Sequence, residues 1–242
     1  MLSRVWTPAA VAAVAAVAAL AVSVPALAIT GGSVDGGGHP AVGLLIANNG
    51  QELAPECSGT LISSTVFVTA AHCTGILASN RVEVSFASQY GDGSAAIGGT
   101  AHTDPDWNPG AKDTHDLAVV VLDQSPDGVT PMALPQASSL DTVDHRTSFT
   151  NVGYGYFDRS FTFDGTRRVS SSTLTNVTPT ELRLSNTSGG VCFGDSGGPR
   201  LLGDVVEAVT STGNRNCTGQ TLSYRLDTAS ARDFLGHYLN LP

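Results

Sequence analysis

The string Gly194-Asp195-Ser196-Gly197-Gly198-Pro199 decides how the rest of this sequence is interpreted. Its glycines permit a backbone turn that exposes Ser196 and directs peptide N–H groups toward one point. The tetrapeptide Gly-Asp-Ser-Gly alone is common in ordinary turns, whereas the full six-residue string is far more specific. A serine hydroxyl is a weak nucleophile until a base removes its proton. The string therefore predicts a reactive serine whose base comes from elsewhere in the chain.

The candidate base is His72, in the string Thr69-Ala70-Ala71-His72-Cys73. The small residues before it allow close packing, and Cys73 can anchor the segment covalently. The candidate acid is Asp116, which opens the apolar run Leu117–Leu122. A carboxylate at that place is costly to bury unless it is paired, and a histidine N–H is a suitable partner. Asp113 competes for this role, although it lies farther from the apolar run.

The first 28 residues have the pattern of a secretory signal peptide. Arg4 precedes an apolar stretch, Ala9–Val24, and the sequence Ala26-Leu27-Ala28 is an A-x-A cleavage signal. The alternative, an uncleaved membrane anchor, is disfavoured by the small residues of that signal and by the polar, glycine-rich sequence that follows. We expect a secreted, extracellular protein that begins at Ile29 and does not associate with the membrane after the signal is removed.

Composition favours a turn-rich β protein. The 242 residues include 27 Gly and 12 Pro, and only 14% are charged. The net charge is −9, the sole lysine is Lys112, and there is no run of like charges. This balance argues against nucleic acid or another polyanion as a partner.

Short apolar runs separated by turn residues predict a succession of strands, and one terminal segment predicts a helix. The predicted strands are Ala41–Ala47, Gly59–Ile62, Val66–Ala70, Arg81–Phe86, Leu117–Leu122, Ser148–Val152, Arg168–Leu174, Glu181–Leu184 and Val205–Thr210. The helix is predicted over Thr228–Leu239, capped by Asp227 or Thr228. This pattern indicates an all-β barrel or sandwich.

Four cysteines follow the signal: Cys57, Cys73, Cys192 and Cys217. An even number in an exported chain favours disulfides over metal ligation. Three pairings are possible, and spacing alone does not choose among them. The chain has no Cys-x-x-Cys or His-x-x-x-His, so we expect no metal site and no cofactor.

Taken together, these strings resemble the trypsin/chymotrypsin family of serine proteases. The order His72, Asp116, Ser196 is the order of that family, and Ile29-Thr30-Gly31-Gly32 is similar to its mature N-terminus. The resemblance implies two packed six-stranded antiparallel β-barrels with a C-terminal helix. Residues 29–130 would form the first barrel, with His72 and Asp116, and residues 131–242 the second, with Ser196.

The resemblance also implies a set of site residues. The disulfides would be Cys57–Cys73 and Cys192–Cys217, and the N–H groups of Gly194 and Ser196 would form an oxyanion hole. A buried pair between the Ile29 amine and Asp195 would shape that hole. The specificity pocket would contain Gly190, Val191, Ser211, Gly213 and Leu222.

The expected activity is endopeptidase cleavage through an acyl-enzyme. With Gly190 at the pocket base and apolar Val191 beside it, we expect cleavage after uncharged residues, above all apolar ones. Polypeptides would be the substrates, proteinaceous inhibitors are further possible partners, and a monomer is expected.

Two other classes of function fit parts of the sequence. One is an inactive protease homologue that acts as a binding protein. The other is an α/β-hydrolase, because the serine string also fits G-x-S-x-G, and Asp227 and His237 follow Ser196 in that family's order.

Overall fold

The structure, a computed structural model, describes residue 29 and residues 32–48, 53–156, 162–186 and 190–242. The predicted signal peptide, residues 1–28, lies outside the described residues. The strands are β1 (Ser33–Val34), β2 (Val42–Asn48), β3 (Leu53–Leu61), β4 (Val66–Thr69), β5 (Arg81–Ser85), β6 (Ile97–Thr103), β7 (Ala118–Leu122), β8 (Ser148–Gly153), β9 (Arg168–Val177), β10 (Glu181–Asn186), β11 (Pro199–Leu202), β12 (Val205–Gly213) and β13 (Gly219–Arg225). The α-helices are α1 (Ala71–Thr74) and α2 (Ala229–Gly236), and Ser139–Thr142 form a 3-10 helix.

The first barrel is a closed antiparallel ring with the strand order β2-β3-β4-β7-β6-β5. Inward side chains such as Leu45, Phe67, Val82 and Val120 form a core of their own. Gly59 is required where β3 crosses this core, because a Cβ atom there would lie 2.4 Å from the ring of Phe67. Closure satisfies the strand edges that an open sheet would leave unpaired.

The second barrel follows the order β9-β10-β13-β12-β11-β8 and is closed by the pairing of β8 with β9. Strand β1 extends the sheet by pairing with β9. One half of the interior is apolar, with Phe149, Leu174, Leu182 and Leu184 packed together. The other half is polar and surrounds the completely buried Arg200.

A third apolar cluster joins the two barrels. It combines Leu44 and Val68 of the first barrel with Val152 and Val209 of the second. Helix α2 packs into the same cluster through residues that include Phe234 and Leu235. The two predicted six-stranded barrels and the terminal helix are thus confirmed.

Helix α2 begins as the sequence predicts and ends earlier. The Thr228 side chain caps it by accepting a hydrogen bond from the Ala231 N–H at 3.2 Å. The helix stops at Gly236, three residues before the predicted end at Leu239. Among the described residues no helix is long and apolar enough to cross a membrane.

Candidate active site

The turn that carries Ser196 lies between β10 and β11 and depends on its glycines. Gly194 has φ +91° and Gly197 has φ +75°, both in the left-handed region that favours glycine. A Cβ atom at position 197 would lie 2.0 Å from Thr69 Oγ1, so the turn can approach β4 of the first barrel only without a side chain there. Glycine therefore serves both the backbone conformation and the contact between the barrels.

His72 and Asp116 meet at the surface of the first barrel. His72 lies in α1, directly after β4, and Asp116 lies just before β7, the strand that pairs with β4. The Asp116 carboxylate is 2.9 Å from His72 Nδ1 through Oδ2, and its Oδ1 accepts the His72 backbone N–H at 2.9 Å. Ser211 donates a further hydrogen bond to Oδ2 from the second barrel. Three donors thus converge on one buried carboxyl group.

These contacts decide the charge of Asp116. Burial alone would raise the pKa of this carboxyl, but the hydrogen bonds and charge of His72, together with the Ser211 hydroxyl, lower the pKa below its usual value. An ionised carboxylate only accepts hydrogen bonds, so His72 Nδ1 must carry a proton. In the neutral ring, Nε2 is therefore left with its lone pair, as a base requires.

Asp113, the competing candidate, lies elsewhere. Its carboxylate accepts hydrogen bonds from Tyr224 Oη at 2.9 Å and from Ser230 Oγ at 2.7 Å. It therefore ties the loop before β7 to β13 and α2, and Asp116 is the acid that contacts His72.

Ser196 and His72 line two cavities together. The larger, about 510 Å³, also contains Cys57, Tyr156 and Phe193. The smaller, about 260 Å³, is lined by Val191, Thr210, Ser211 and Gly213, among others. Ser196 Oγ and His72 are not hydrogen-bonded to each other in this structure, and such bonds often tighten only when substrate binds. The cleft thus offers space on two sides of the serine hydroxyl.

We call the smaller cavity the primary pocket. Of the five residues predicted for it, Val191, Ser211 and Gly213 line it. Gly190 instead faces Asn186, because a Cβ atom at Gly190 would lie 2.3 Å from the Asn186 side chain. Leu222 alternates along β13 with Thr221 and Ser223, which face the barrel interior, so Leu222 points to the opposite side.

The peptide between Phe193 and Gly194 is oriented by a neighbouring loop. The Phe193 carbonyl accepts the Tyr156 N–H at 2.8 Å. Since C=O and N–H point in opposite directions in a trans peptide, the Gly194 N–H points away from that loop. In the described part of the chain neither the Gly194 N–H nor the Ser196 N–H has a hydrogen-bond acceptor. Both donors are available for an oxyanion beside Ser196.

Asp195, between these two donors, is completely enclosed. Its carboxylate accepts the N–H groups of Gly155 and Cys192, each at 2.8 Å. Burial raises its pKa to about 6, although those two hydrogen bonds and the charge of Arg200 lower it in part. Ile29 is also completely buried. The carboxylate has no cation within hydrogen-bond distance among the described residues, which exclude residues 30 and 31.

Sequence reasoning missed Ser58, the residue after Cys57. Its N–H donates to the Ser196 carbonyl at 2.8 Å, and its hydroxyl accepts the Tyr154 N–H at 2.9 Å. The only sequence signal was its place beside Cys57, which gives no indication of contacts more than 90 residues away.

Both predicted disulfides are present. Cys57–Cys73 fixes α1 to β3, and Cys192–Cys217 joins the segment before Ser196 to the loop after β12. They close loops with sequence separations of 16 and 25 residues. Each loop of that size is worth about 3 kcal/mol of stability.

The chain matches the profile of the trypsin family over residues 29–234. It belongs to the trypsin family.

Solved structures of this family have the same fold at low sequence identity. Human heparin binding protein is 21% identical, with a TM-score of 0.70, over 88% of this chain and 97% of that one. The HL collagenase is 20% identical, with a TM-score of 0.69, over 82% of this chain and 92% of that one. No curated protein matches at a significant level. Of these two proteins with the trypsin fold, one is named for heparin binding and the other is named as a collagenase.

Family membership removes the α/β-hydrolase alternative, which requires strands that alternate with helices. The residues proposed for it have other surroundings: Asp227 pairs with Arg225 at 2.8 Å, and His237 follows the last turn of α2. The alternative in which Ser196, Asp227 and His237 form that family's site is therefore excluded.

Two groups of possible metal ligands occur among the described residues. Cys57, Cys73 and His72 form one, but the two sulfurs are joined in a disulfide. Asp104, Asp106 and His115 form the other, and Asp104 already accepts from His115 Nδ1 at 3.2 Å. The hydrogen bonds that Asp104 accepts from the Asp106 N–H and from His115 hold the loop before Asp116 together.

Proposed function

We propose that this trypsin-family chain is a secreted serine endopeptidase that acts through Ser196, His72 and Asp116. The observation that carries the proposal is the buried carboxylate of Asp116, which holds both the backbone N–H and Nδ1 of His72. Such a carboxylate fixes the imidazole tautomer and stabilises the imidazolium that forms when the ring accepts a proton. His39 makes the same two contacts with the buried side chain of Asp35, but only His72 of these two histidines lines the cleft together with Ser196.

The reaction would proceed by acyl transfer. Ser196 Oγ attacks the peptide carbonyl carbon while His72 Nε2 takes the hydroxyl proton. The carbonyl oxygen becomes an oxyanion that accepts from the N–H groups of Gly194 and Ser196, and a donor of this kind is worth about 2.7–4 kcal/mol in related chemistry. His72 then protonates the leaving amine, and water hydrolyses the acyl-enzyme by the reverse proton transfers.

Secretion and activation would be a single event. Cleavage after Ala28 would free the amine of Ile29, and the buried Asp195 needs a cationic partner. The residue before Ile29 is Ala28 rather than Arg or Lys, which supports signal peptidase, rather than a trypsin-like activator, as the source of this terminus.

The competing proposal is that the chain is an inactive binding protein, and human heparin binding protein is a structural neighbour named for binding. Heparin is a polyanion, and the net charge of −9 on this chain disfavours it as a ligand. The presence of all three triad residues and of free oxyanion donors supports the enzyme instead.

Peptide hydrolysis by the secreted chain tests the proposal. Ser196→Ala and His72→Ala should each abolish cleavage of a fluorogenic peptide library, because they remove the nucleophile and its base. His237→Ala is the matched control and should retain activity. Activity that survives Ser196→Ala would refute the assignment.

A further inference from the structure

Arg200 is a buried cation without an acidic partner. It lies on β11 and is 0% exposed. Its Nε donates to Ser223 Oγ at 2.8 Å and its Nη2 to Thr221 Oγ1 at 3.1 Å, while Nη1 contacts the Asn151 side chain. Within the described residues no carboxylate lies in salt-bridge distance of this guanidinium, whereas the other buried arginines, Arg167, Arg168 and Arg225, each have one. A buried charge that is hydrogen-bonded only to neutral groups is expensive and calls for a function.

The charge lies directly behind the wall of the primary pocket. Thr210 and Gly213 line that pocket on β12. Across the strand pair, Thr210 lies opposite Ser223 and Gly213 opposite Thr221, the two hydroxyl residues that accept from Arg200. Residues directly opposite each other on antiparallel strands share a face of the sheet. The side chains of Ser223 and Thr221 thus connect the guanidinium to the two strand positions, Thr210 and Gly213, that line the pocket.

The hydroxyls can pass this polarity to a ligand. Thr221 Oγ1 accepts from Arg200 Nη2 and also from Asn186 Nδ2 at 3.4 Å, so its own proton is left to donate. No side chain at Gly213 separates the pocket from Thr221, whose methyl carbon lies 3.0 Å from the Gly213 Cβ position and whose hydroxyl contacts Arg200. A hydroxyl that accepts from a cation is a stronger donor toward an anion.

The nearest acid does not neutralise Arg200 in the active form proposed above. The Asp195 carboxylate accepts from two backbone N–H groups and makes no hydrogen bond to Arg200. If the Ile29 amine pairs with Asp195, the Arg200 charge is left as the surplus buried charge beside the pocket.

We propose that Arg200 determines specificity by making the primary pocket select an acidic side chain, glutamate in particular, in the substrate residue before the cleaved bond. This inference rests on the proposed endopeptidase function. The proposed acidic preference replaces the apolar preference expected from Gly190 and Val191. The reason is that hydroxyl groups and the Arg200 cation lie behind the pocket wall, and the identities of Gly190 and Val191 give no indication of them.

The test compares four fluorogenic peptides that differ only in that residue: Glu, Gln, Leu and Lys. The secreted wild-type enzyme should give a kcat/KM at least about tenfold higher for Glu than for its uncharged isostere Gln, with Lys poorest, because Arg200 attracts a carboxylate and repels an ammonium. Equal or better cleavage of the Gln or Leu peptide overturns the inference and needs no variant.

Variants assign the preference to the residue. Arg200→Met should reduce the Glu:Gln ratio to about one, and Arg200→Lys should restore most of it. The control is Arg225→Met, a buried arginine on β13 whose guanidinium pairs with Asp141 and Asp227, which should lower the thermal midpoint but keep the ratio. If Arg200→Met does not fold, Thr221→Val should still lower the ratio. A ratio that Arg200→Met or Thr221→Val leaves unchanged refutes the role of Arg200.

If no peptide is cleaved and no serine-reactive probe attaches, the endopeptidase proposal itself fails.

Discussion

The hydroxyl of Ser58, in the first barrel, donates a hydrogen bond of 2.8 Å to the carbonyl oxygen of Gly194, in the second. The same hydroxyl accepts the N–H of Tyr154, so it satisfies two buried backbone groups at once. The residue that supplies one of the proposed oxyanion donors, Gly194, is therefore held through its carbonyl from across the cleft. Ser58 is a positioning residue for the turn, and it does not touch the reacting atoms.

Replacement of Ser58 by Ala should reduce kcat more than it changes KM. The substitution leaves the Gly194 carbonyl and the Tyr154 N–H without their partner, which costs about 1–3 kcal/mol and loosens the oxyanion donors. We expect kcat to fall about tenfold or more. The control is Ser63→Ala, which removes only a hydrogen bond to the Val66 N–H in the first barrel. Equal effects of the two changes on kcat would contradict the positioning role.

Replacement of Asp116 by Asn should lower kcat by about 10³–10⁴-fold, because an amide can present a donor to His72 Nδ1 and so favours the wrong tautomer. Asp113→Asn is the matched control, since Asp113 contacts Tyr224 and Ser230 instead. Steady-state kinetics of both variants decide between the two acids. A loss confined to Asp113→Asn would reverse the assignment.

The N-terminus offers a separate test of activation. Sequencing of the secreted protein should start at Ile29, and a variant that retains one extra alanine before Ile29 should lose most of its activity. The reason is that a displaced amine leaves Asp195 buried without a counter-ion, and breaking such a pair costs about 3–5 kcal/mol. Full activity with the extra residue shown by mass spectrometry to be present would refute the role of the amine.

Glu207 should make the stability of the fold depend on pH. Burial and the neighbouring charge of Asp227 raise the pKa of this carboxyl to about 7, although a hydrogen bond from Ser139 lowers it in part. Its Oε2 has no hydrogen-bond partner among the described residues. A raised folded-state pKa means that stability is complete below the ordinary glutamate range and declines as pH rises to about 7.

Glu207→Gln should therefore increase the free energy of unfolding by about 1–3 kcal/mol at about pH 8 and leave it unchanged at about pH 4. Denaturant titrations at the two pH values measure this difference. Glu83→Gln, on β5 of the first barrel, controls for the loss of one negative charge. A gain from Glu207→Gln that is the same at both pH values would contradict the account.

The sequence predicted those strands whose apolar runs form part of a hydrophobic core. All nine predicted strands overlap observed ones, because their apolar residues face a core. Strands β11 and β13 were missed for one physical reason: their inward residues are polar. Arg200 on β11 and Thr221 and Ser223 on β13 form the buried network, so the face of each strand that carries these residues is not apolar.

Strand β6 was missed because of its glycines. A Cβ atom at Gly99 would lie 2.6 Å from a Val120 side-chain carbon, so β6 can approach β7 only if this position has no side chain. The strand therefore lacks the apolar residue by which it could be recognised in the sequence. The contacts of Ser58 and the setting of Arg200 depend on residues distant in the chain, which no local pattern encodes. Sequence reasoning therefore found the strings around Ser196 and His72 and missed what supports them.

The most direct test of the central claim is covalent labelling of the secreted enzyme with a fluorophosphonate, read by intact-protein and peptide mass spectrometry. The account predicts one adduct per chain, located on Ser196, because only a hydroxyl beside a neutral His72 and free oxyanion donors reacts with such a probe. The adduct should be absent in Ser196→Ala and strongly reduced in folded His72→Ala. A folded wild-type chain that takes up no label, or one that is labelled elsewhere while Ser196 stays free, would contradict the account.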